Sequence, residues 1–177
     1  MKSQAKPVQQ NSLLGKNKFM ILTFVAIIIL LIPGVYLAST INSPAEVQIN
    51  PEAKAVIDEF TYNWGEIEIN DGNVEKVFEI TNAGNDSLIL SNVETSCMCT
   101  TAQLSYAEES SPIFGMHTKS GYTLEVPSGK TAQLKIVFDP AFHGPSGVGP
   151  INRQVKVDTN DPSNPQLNFM LTAMVRK

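Results

Sequence analysis

Two patterns of apolar and polar positions divide the chain. From Phe19 to Leu37 the stretch FMILTFVAIIILLIPGVYL runs nineteen residues without a charge, about the length of a helix that spans a hydrocarbon core of roughly 30 Å. Beyond about Lys54 the pattern changes to short segments of period two, separated by Asn, Gly, Asp and Pro, which is how strands joined by turns read. Strands are expected at AVIDEFTY (55–62), NVEKVFEIT (73–81), SLILSNVE (87–94), YTLEV (122–126), TAQLKIVF (131–138), RQVKVDT (153–159) and QLNFMLTAMV (166–175). SLILSNVE is expected to pair with NVEKVFEIT as a hairpin across NAGND. The expected architecture is all-β, an Ig-like β-sandwich of about seven strands, preceded by one N-terminal transmembrane helix. Its core is expected from Phe60, Trp64, Ile67, Val77, Ile80, Leu88, Leu90, Leu134, Ile136, Phe138, Val155, Val157, Phe169 and Leu171.

Charge orients this arrangement. Lys2, Lys6, Lys16 and Lys18 precede the apolar stretch and no basic residue follows it until Lys54, so the positive-inside bias leaves the N-terminus in the cytoplasm. The expected division is a cytoplasmic tail over 1–18, an anchor in the inner or plasma membrane over 19–38, a linker over 39–54 and an extracytoplasmic domain over 55–177. A cleaved export signal also begins basic and apolar, but this apolar run is longer than a usual signal core, and Tyr36 stands where a small residue should precede a cut after Ala38. Four of the 13 basic residues precede the span, leaving nine against 17 acidic ones outside, a net charge of −8. That balance argues against nucleic acid and against anionic lipid surfaces as partners of the outer domain.

Several segments of the outer domain carry a resemblance. FTYNWGEI (60–67), VFEITNAGNDSLILSNVETSCMCTTA (77–102), AQLKIVFDP (132–140) and VDTNDPSNPQL (157–167) resemble, in that order, domain-of-unknown-function family 1573. The resemblance implies an Ig-like sandwich related to domains of cilia and sperm proteins, in proteins that are typically bacterial and exported, and it implies no particular activity. The family's Ser-Cys-Gly-Cys-Thr turn is here Ser96-Cys97-Met98-Cys99-Thr100, with Met98 in place of glycine. Its Pro-Gly before a later strand is here Pro127-Ser128-Gly129.

Cys97 and Cys99 are the chain's two cysteines, and three chemistries are open to them. In a regular strand, residues two apart lie about 6.6–6.8 Å apart at Cα, the upper limit of disulfide reach, so a bond between them needs a turned backbone. As thiolates they are soft ligands suited to Cu(I) or Zn, with His117, His143 and the thioether of Met116 as the further ligands if their loops converge. As redox thiols they need a neighbouring cation or a helix N-terminus, and no basic residue lies between Lys76 and Lys119 in sequence. SGKT (128–131) lacks the glycine and helix of a phosphate loop and reads as a β-turn, while GPSGVGP (144–150) reads as a long mobile loop. Asp139 and Asp161, each before a proline, read as turn formers, and Glu108 and Glu109 as a solvated turn. No catalytic constellation emerges. The expectation is a non-enzymatic binding or assembly module with a protein partner in the cell envelope, with soft-metal binding and thiol redox chemistry as alternatives.

Overall fold

The computed structural model describes residues 13–41 and 44–177; most of the expected cytoplasmic tail lies outside them. The chain forms two separate units, 1–41 and 42–177.

The first unit is helix α1, Leu13–Ile41, with Pro33 inside it. Its side chains are described at Lys18 and from Met20 to Tyr36, and all of these are exposed. Among the described residues no helix is long and apolar enough to cross a membrane. Phe19 and Leu37, the ends of the uncharged stretch, are not among the described side chains.

The second unit is a sandwich of two antiparallel-dominated sheets. Its strands are β1 (Ala55–Val56), β2 (Thr61–Glu68), β3 (Val74–Asn82), β4 (Leu88–Thr95), β5 (Thr100–Tyr106), β6 (Glu109–Ser110), β7 (Thr123–Val126), β8 (Thr131–Phe138), β9 (Gly149–Thr159) and β10 (Gln166–Arg176). One sheet has the order β1-β3-β8-β5-β6 and the other β2-β10-β9-β4-β7. Edge strand β2 runs parallel to β10, with a register shift between Thr172 and Met174, where Gly65 adopts a positive φ of 75°. Among the described residues there are thus ten strands where about seven were expected, the additions being β5 and short edge pieces.

The hairpin expected between β3 and β4 does not form. β3 pairs with β1 and β8, and β4 crosses to the opposite sheet, where it pairs with β7 and β9. Buried Asn82 makes the crossing: its Nδ2 donates to the carbonyls of Asp86 and Val126, both at 2.8 Å, and its Oδ1 accepts from the Gly84 amide at 2.9 Å. These bonds satisfy the backbone where the chain leaves one sheet for the other.

Alternation decides which faces are buried. Ile80, Leu88, Leu90, Leu134, Ile136, Phe138, Val155, Val157, Phe169 and Leu171 are buried as expected. Val77 points outward, and Phe78 takes the inward position with ring centroids 4.8 Å from Phe169. Phe60 is partly exposed and rests its ring 5.5 Å from Phe169. Phe114, between β6 and β7, is fully buried and bridges to Ala102.

Part of the segment read as a linker lies along the sandwich. The Ala45 amide and carbonyl are both held by the side chain of Asn92, at 2.9 and 3.0 Å, and Asn50 N donates to the Asn160 carbonyl at 2.8 Å. Asn92 takes a positive φ of 48° at the register shift in β4, a conformation that asparagine tolerates better than most residues.

Candidate functional site at the C-x-C turn

The two cysteines sit in the turn that carries the chain from β4 to β5, and so from one sheet to the other. The Thr100 amide donates to the Cys97 carbonyl at 3.1 Å, closing a four-residue turn. Buried Thr95 donates its hydroxyl toward the carbonyls of Cys97 and Thr100, at 3.1 and 3.0 Å. Ser96 is fastened to β9 by two bonds, its amide to the Gln154 carbonyl and its hydroxyl oxygen from the Gln154 amide, each 2.9 Å. The Asp139 amide donates to the Cys99 carbonyl at 2.9 Å. The turn is thus tied to β9 and to the loop that follows β8.

This curvature brings the Cys97 and Cys99 Cα atoms to 5.2 Å, and the two sulfurs form a disulfide. The separation is shorter than that of residues two apart in a straight strand, which is the turned backbone such a bond requires. The two sulfurs differ in surroundings. Cys99 is 3% exposed and packs with Ile69, Phe138 and Val175, whereas Cys97 is only partly buried.

Each sulfur has a nitrogen neighbour. His143 Nε2 lies 3.5 Å from Cys97 Sγ, and Arg153 Nε donates to Cys99 Sγ at 3.1 Å. Arg153 also donates from Nη1 to the Asn152 carbonyl at 2.9 Å and sets its guanidinium 5.4 Å from the Phe138 ring centroid. Burial lowers the Arg153 pKa from its ordinary value. His143 is positioned by its loop: Ala141 N donates to Asp139 Oδ1 at 2.9 Å, Gly144 N donates to the Ala141 carbonyl at 2.8 Å, and the Phe142 ring stands edge-on to the imidazole at 5.1 Å. The GPSGVGP segment is shorter as a loop than expected, because Gly144–Gly147 form a 3-10 turn and β9 begins at Gly149.

Among the described residues, the sulfurs of Cys97 and Cys99 and a ring nitrogen of His143 lie within 4.8 Å of one another. Met116 and His117 line a groove with Glu94, Thr95, Ser96, Gln154 and Lys156, and His117 does not belong to the convergent group. Met98, next to Cys97 in the chain, is 59% exposed, and Phe142, next to His143, is 47% exposed. The acidic turn expected at Glu108 and Glu109 is partnered, since Tyr122 donates its hydroxyl to Glu109 Oε1 at 2.7 Å. Burial, with that hydrogen bond and the carboxylate's charge, pushes the Tyr122 phenol up to about 12.

Arg153 was not legible along the chain near the cysteines, because it arrives from β9. A signal for it exists in INRQVKVDT: Arg153 is in phase with Val155 and Val157, both fully buried. A charge on the inward face of a strand calls for a partner.

Two sheets packed face to face, with a C-x-C disulfide at one end, define an Ig-like β-sandwich. Residues 55–112, which include both cysteines, match the family model described as protein of unknown function DUF1573, in agreement with the resemblance read from the sequence. A crystal structure of a protein of unknown function from Porphyromonas gingivalis W83 is similar, with TM-score 0.55 and 20% identity, over 71% of this chain and 49% of that one. The chain therefore spans about half the length of that protein. The ASH / PapD-like domain 7 of human CEP192 gives TM-score 0.46 at 16% identity, over 74% of this chain and 91% of that domain. The YadV chaperone gives TM-score 0.43 at 11% identity, over 70% of this chain and 52% of that one. No curated protein sequence matches the chain.

Proposed function

We propose that this chain is a membrane-anchored, extracytoplasmic binding module of the cell envelope, non-enzymatic in its docking role, that engages a protein partner through the end of the sandwich carrying the C-x-C turn. One observation carries the reading: Met98 and Phe142, next in the chain to Cys97 and His143, whose side chains touch, hold large apolar side chains in solvent. Exposed methionine and aromatic side chains grouped at one end of a domain are what protein interfaces are built from. Anchoring is supported by the uncharged run after four lysines in the sequence and by the exposed apolar side chains of α1 from Met20 to Tyr36. The test places a photo-crosslinking residue at position 98 of the full-length chain in cells, with position 85 at the opposite end as control. A partner adduct is expected at 98 and lost with Phe142→Ser; equal adducts at both positions discard the reading. Outer-domain protease access in intact spheroplasts, with the chain retained in carbonate-washed membranes, checks the anchor and its orientation.

A second reading, soft-metal binding, is favoured by the convergence of Cys97, Cys99 and His143. It requires the disulfide to be reduced, after which two sulfurs and an imidazole would suit Cu(I) better than Zn, which takes four ligands. Arg153 opposes it by holding a cation against Cys99 Sγ. Elemental analysis of the reduced full-length chain tests this reading, and the absence of stoichiometric copper or zinc removes it.

A further inference from the structure

The C-x-C disulfide is built asymmetrically, with one sulfur accessible and the other shielded beside a cation. We propose that it exchanges with a pair of thiols on the docked protein, so that this chain donates a disulfide to a cysteine-bearing exported partner. The proposal rests on the docking reading above for the class of partner, while the exchange chemistry rests on the turn itself.

The step follows from what each sulfur can do. A thiolate of the partner attacks Cys97 Sγ, since Cys99 Sγ is packed among Ile69, Phe138 and Val175. The Cys97–Cys99 bond breaks, and its electron pair leaves on Cys99 Sγ, where the Arg153 Nε–H already points at 3.1 Å. A leaving thiolate stabilised by a fixed positive charge departs faster. The second thiolate of the partner then attacks the partner's own sulfur in the mixed disulfide, releasing Cys97 as a thiolate that takes a proton from water. Two electrons pass from the partner dithiol to this chain, the partner's two protons go to water, and each encounter consumes one disulfide. Stabilising the reduced thiolate makes the disulfide the better oxidant, which sets the direction as donation rather than removal of disulfides. Exposed Met98 adjoins Cys97 in the chain, and exposed Phe142 adjoins His143, whose ring nitrogen contacts the Cys97 sulfur, so an unfolded or extended segment with apolar residues near its cysteines fits the approach.

The experiment uses the full-length chain in detergent micelles with two probes, reduced glutathione and a reduced synthetic peptide carrying two cysteines between leucines. Both probes are expected to open the disulfide of the folded chain, the peptide faster than glutathione. Cys99→Ser and Cys97→Ser each leave one free thiol, tested with oxidised glutathione: Cys97 should form a mixed disulfide with release of reduced glutathione, while Cys99 should react at least about tenfold more slowly, as shielding of a buried thiol requires. Arg153→Gln should slow opening severalfold, because the departing thiolate loses its cation, with Arg153→Lys intermediate. A disulfide that opens only on unfolding overturns the proposal, and so does a Cys99 that reacts as fast as Cys97. An Arg153→Gln rate equal to that of the unaltered chain, in a variant folded by circular dichroism, overturns it as well. The paired change Met98→Ser with Phe142→Ser separates the two readings. Loss of the peptide's advantage over glutathione supports both, whereas an undiminished advantage discards docking at this end and supports exchange alone.

Discussion

The two ends of the sandwich close their connections by opposite means. At the end where β3 finishes and β4 begins, Asn82, Asn160 and Asp161 are buried and bind backbone groups with their side chains. Asn160 accepts from the Ile89 amide at 2.9 Å and donates to the Ser87 carbonyl at 3.0 Å. Asp161 accepts from the amides of Ala55 and Ser163, at 3.0 and 2.7 Å, and from Asn164 Nδ2 at 2.9 Å. At the other end, the crossing from β4 to β5 is held by the small Thr95 and Ser96 and capped by a disulfide, with Met98 and Phe142 left in solvent. The first end spends its polar side chains on its own backbone; the second leaves apolar groups and an accessible sulfur available to another molecule. Loops held rigid by a scaffold are where binding groups concentrate, and here one end has that character and the other is fully committed to the fold.

Mutations should break the two ends unequally. The largest effect is expected at Gly84, where an added Cβ would lie 2.6 Å from the Lys54 amide nitrogen and closer still to the Glu52 carbonyl oxygen. Both are backbone atoms, so Gly84→Ala should cost about 3 kcal/mol or more in urea unfolding of the chain, at the upper range of overpacking. Asp161→Ala comes next, because it leaves the Ala55 and Ser163 amides without their partner, a loss of about 2–3 kcal/mol for buried groups bonded to a carboxylate. Replacing both cysteines by serine should cost less, about 1.5 kcal/mol at most, since a bond spanning two positions constrains little of the unfolded chain. Double replacement that destabilises more than Asp161→Ala would erase the distinction between the ends.

Acid provides a finer version of the same comparison. Burial raises the pKa of Asp161, but the hydrogen bonds from Asn164, Ala55 and Ser163 together outweigh it and hold the carboxyl below its ordinary value. The folded state therefore binds fewer protons than the unfolded one as this group titrates. The stability it contributes is complete above the unfolded value of about 3.9 and is lost as pH falls through the lower folded value. Thermal unfolding followed from pH 6 to pH 2 should show a smaller acid loss in Asp161→Asn than in the unaltered chain.

Faces were more legible in the sequence than partners. Period-two alternation placed Leu134, Ile136, Val155, Val157 and Leu171 inward because side-chain direction is a local property of a strand. It misplaced Val77 because Val77 and Phe78 are adjacent apolar residues, and the choice between them is made by the room beside Phe169. The change of sheet between β3 and β4 was hidden because alternation fixes a face but not a neighbour, and the deciding bonds of Asn82 reach as far as Val126. At the C-x-C turn the spacing announced unusual chemistry, and His143 was visible as a candidate. Arg153 was not, because proximity in sequence is a poor guide to charge around a thiol when the neighbour comes from another strand. Met116 and His117 attracted notice as soft and imidazole groups together; they line a groove with Thr95, Ser96 and Gln154, and His117 lies outside the group formed by Cys97, Cys99 and His143.

The edges of the two sheets bear on how copies of this domain behave when crowded. β1 and β6 are two residues long and β7 is four. β2, at eight residues the longest of the four outermost strands, is interrupted at Gly65 and carries Glu66 and Glu68. β1 pairs only with Thr81 and Asn82, so Val74–Ile80 of β3 also lies at an edge, where Trp64 Nε1 donates to the Glu75 carbonyl at 3.2 Å. A crowded neighbour thus meets edges that are short, bent, charged or partly capped, the devices by which sheets resist being extended by another copy.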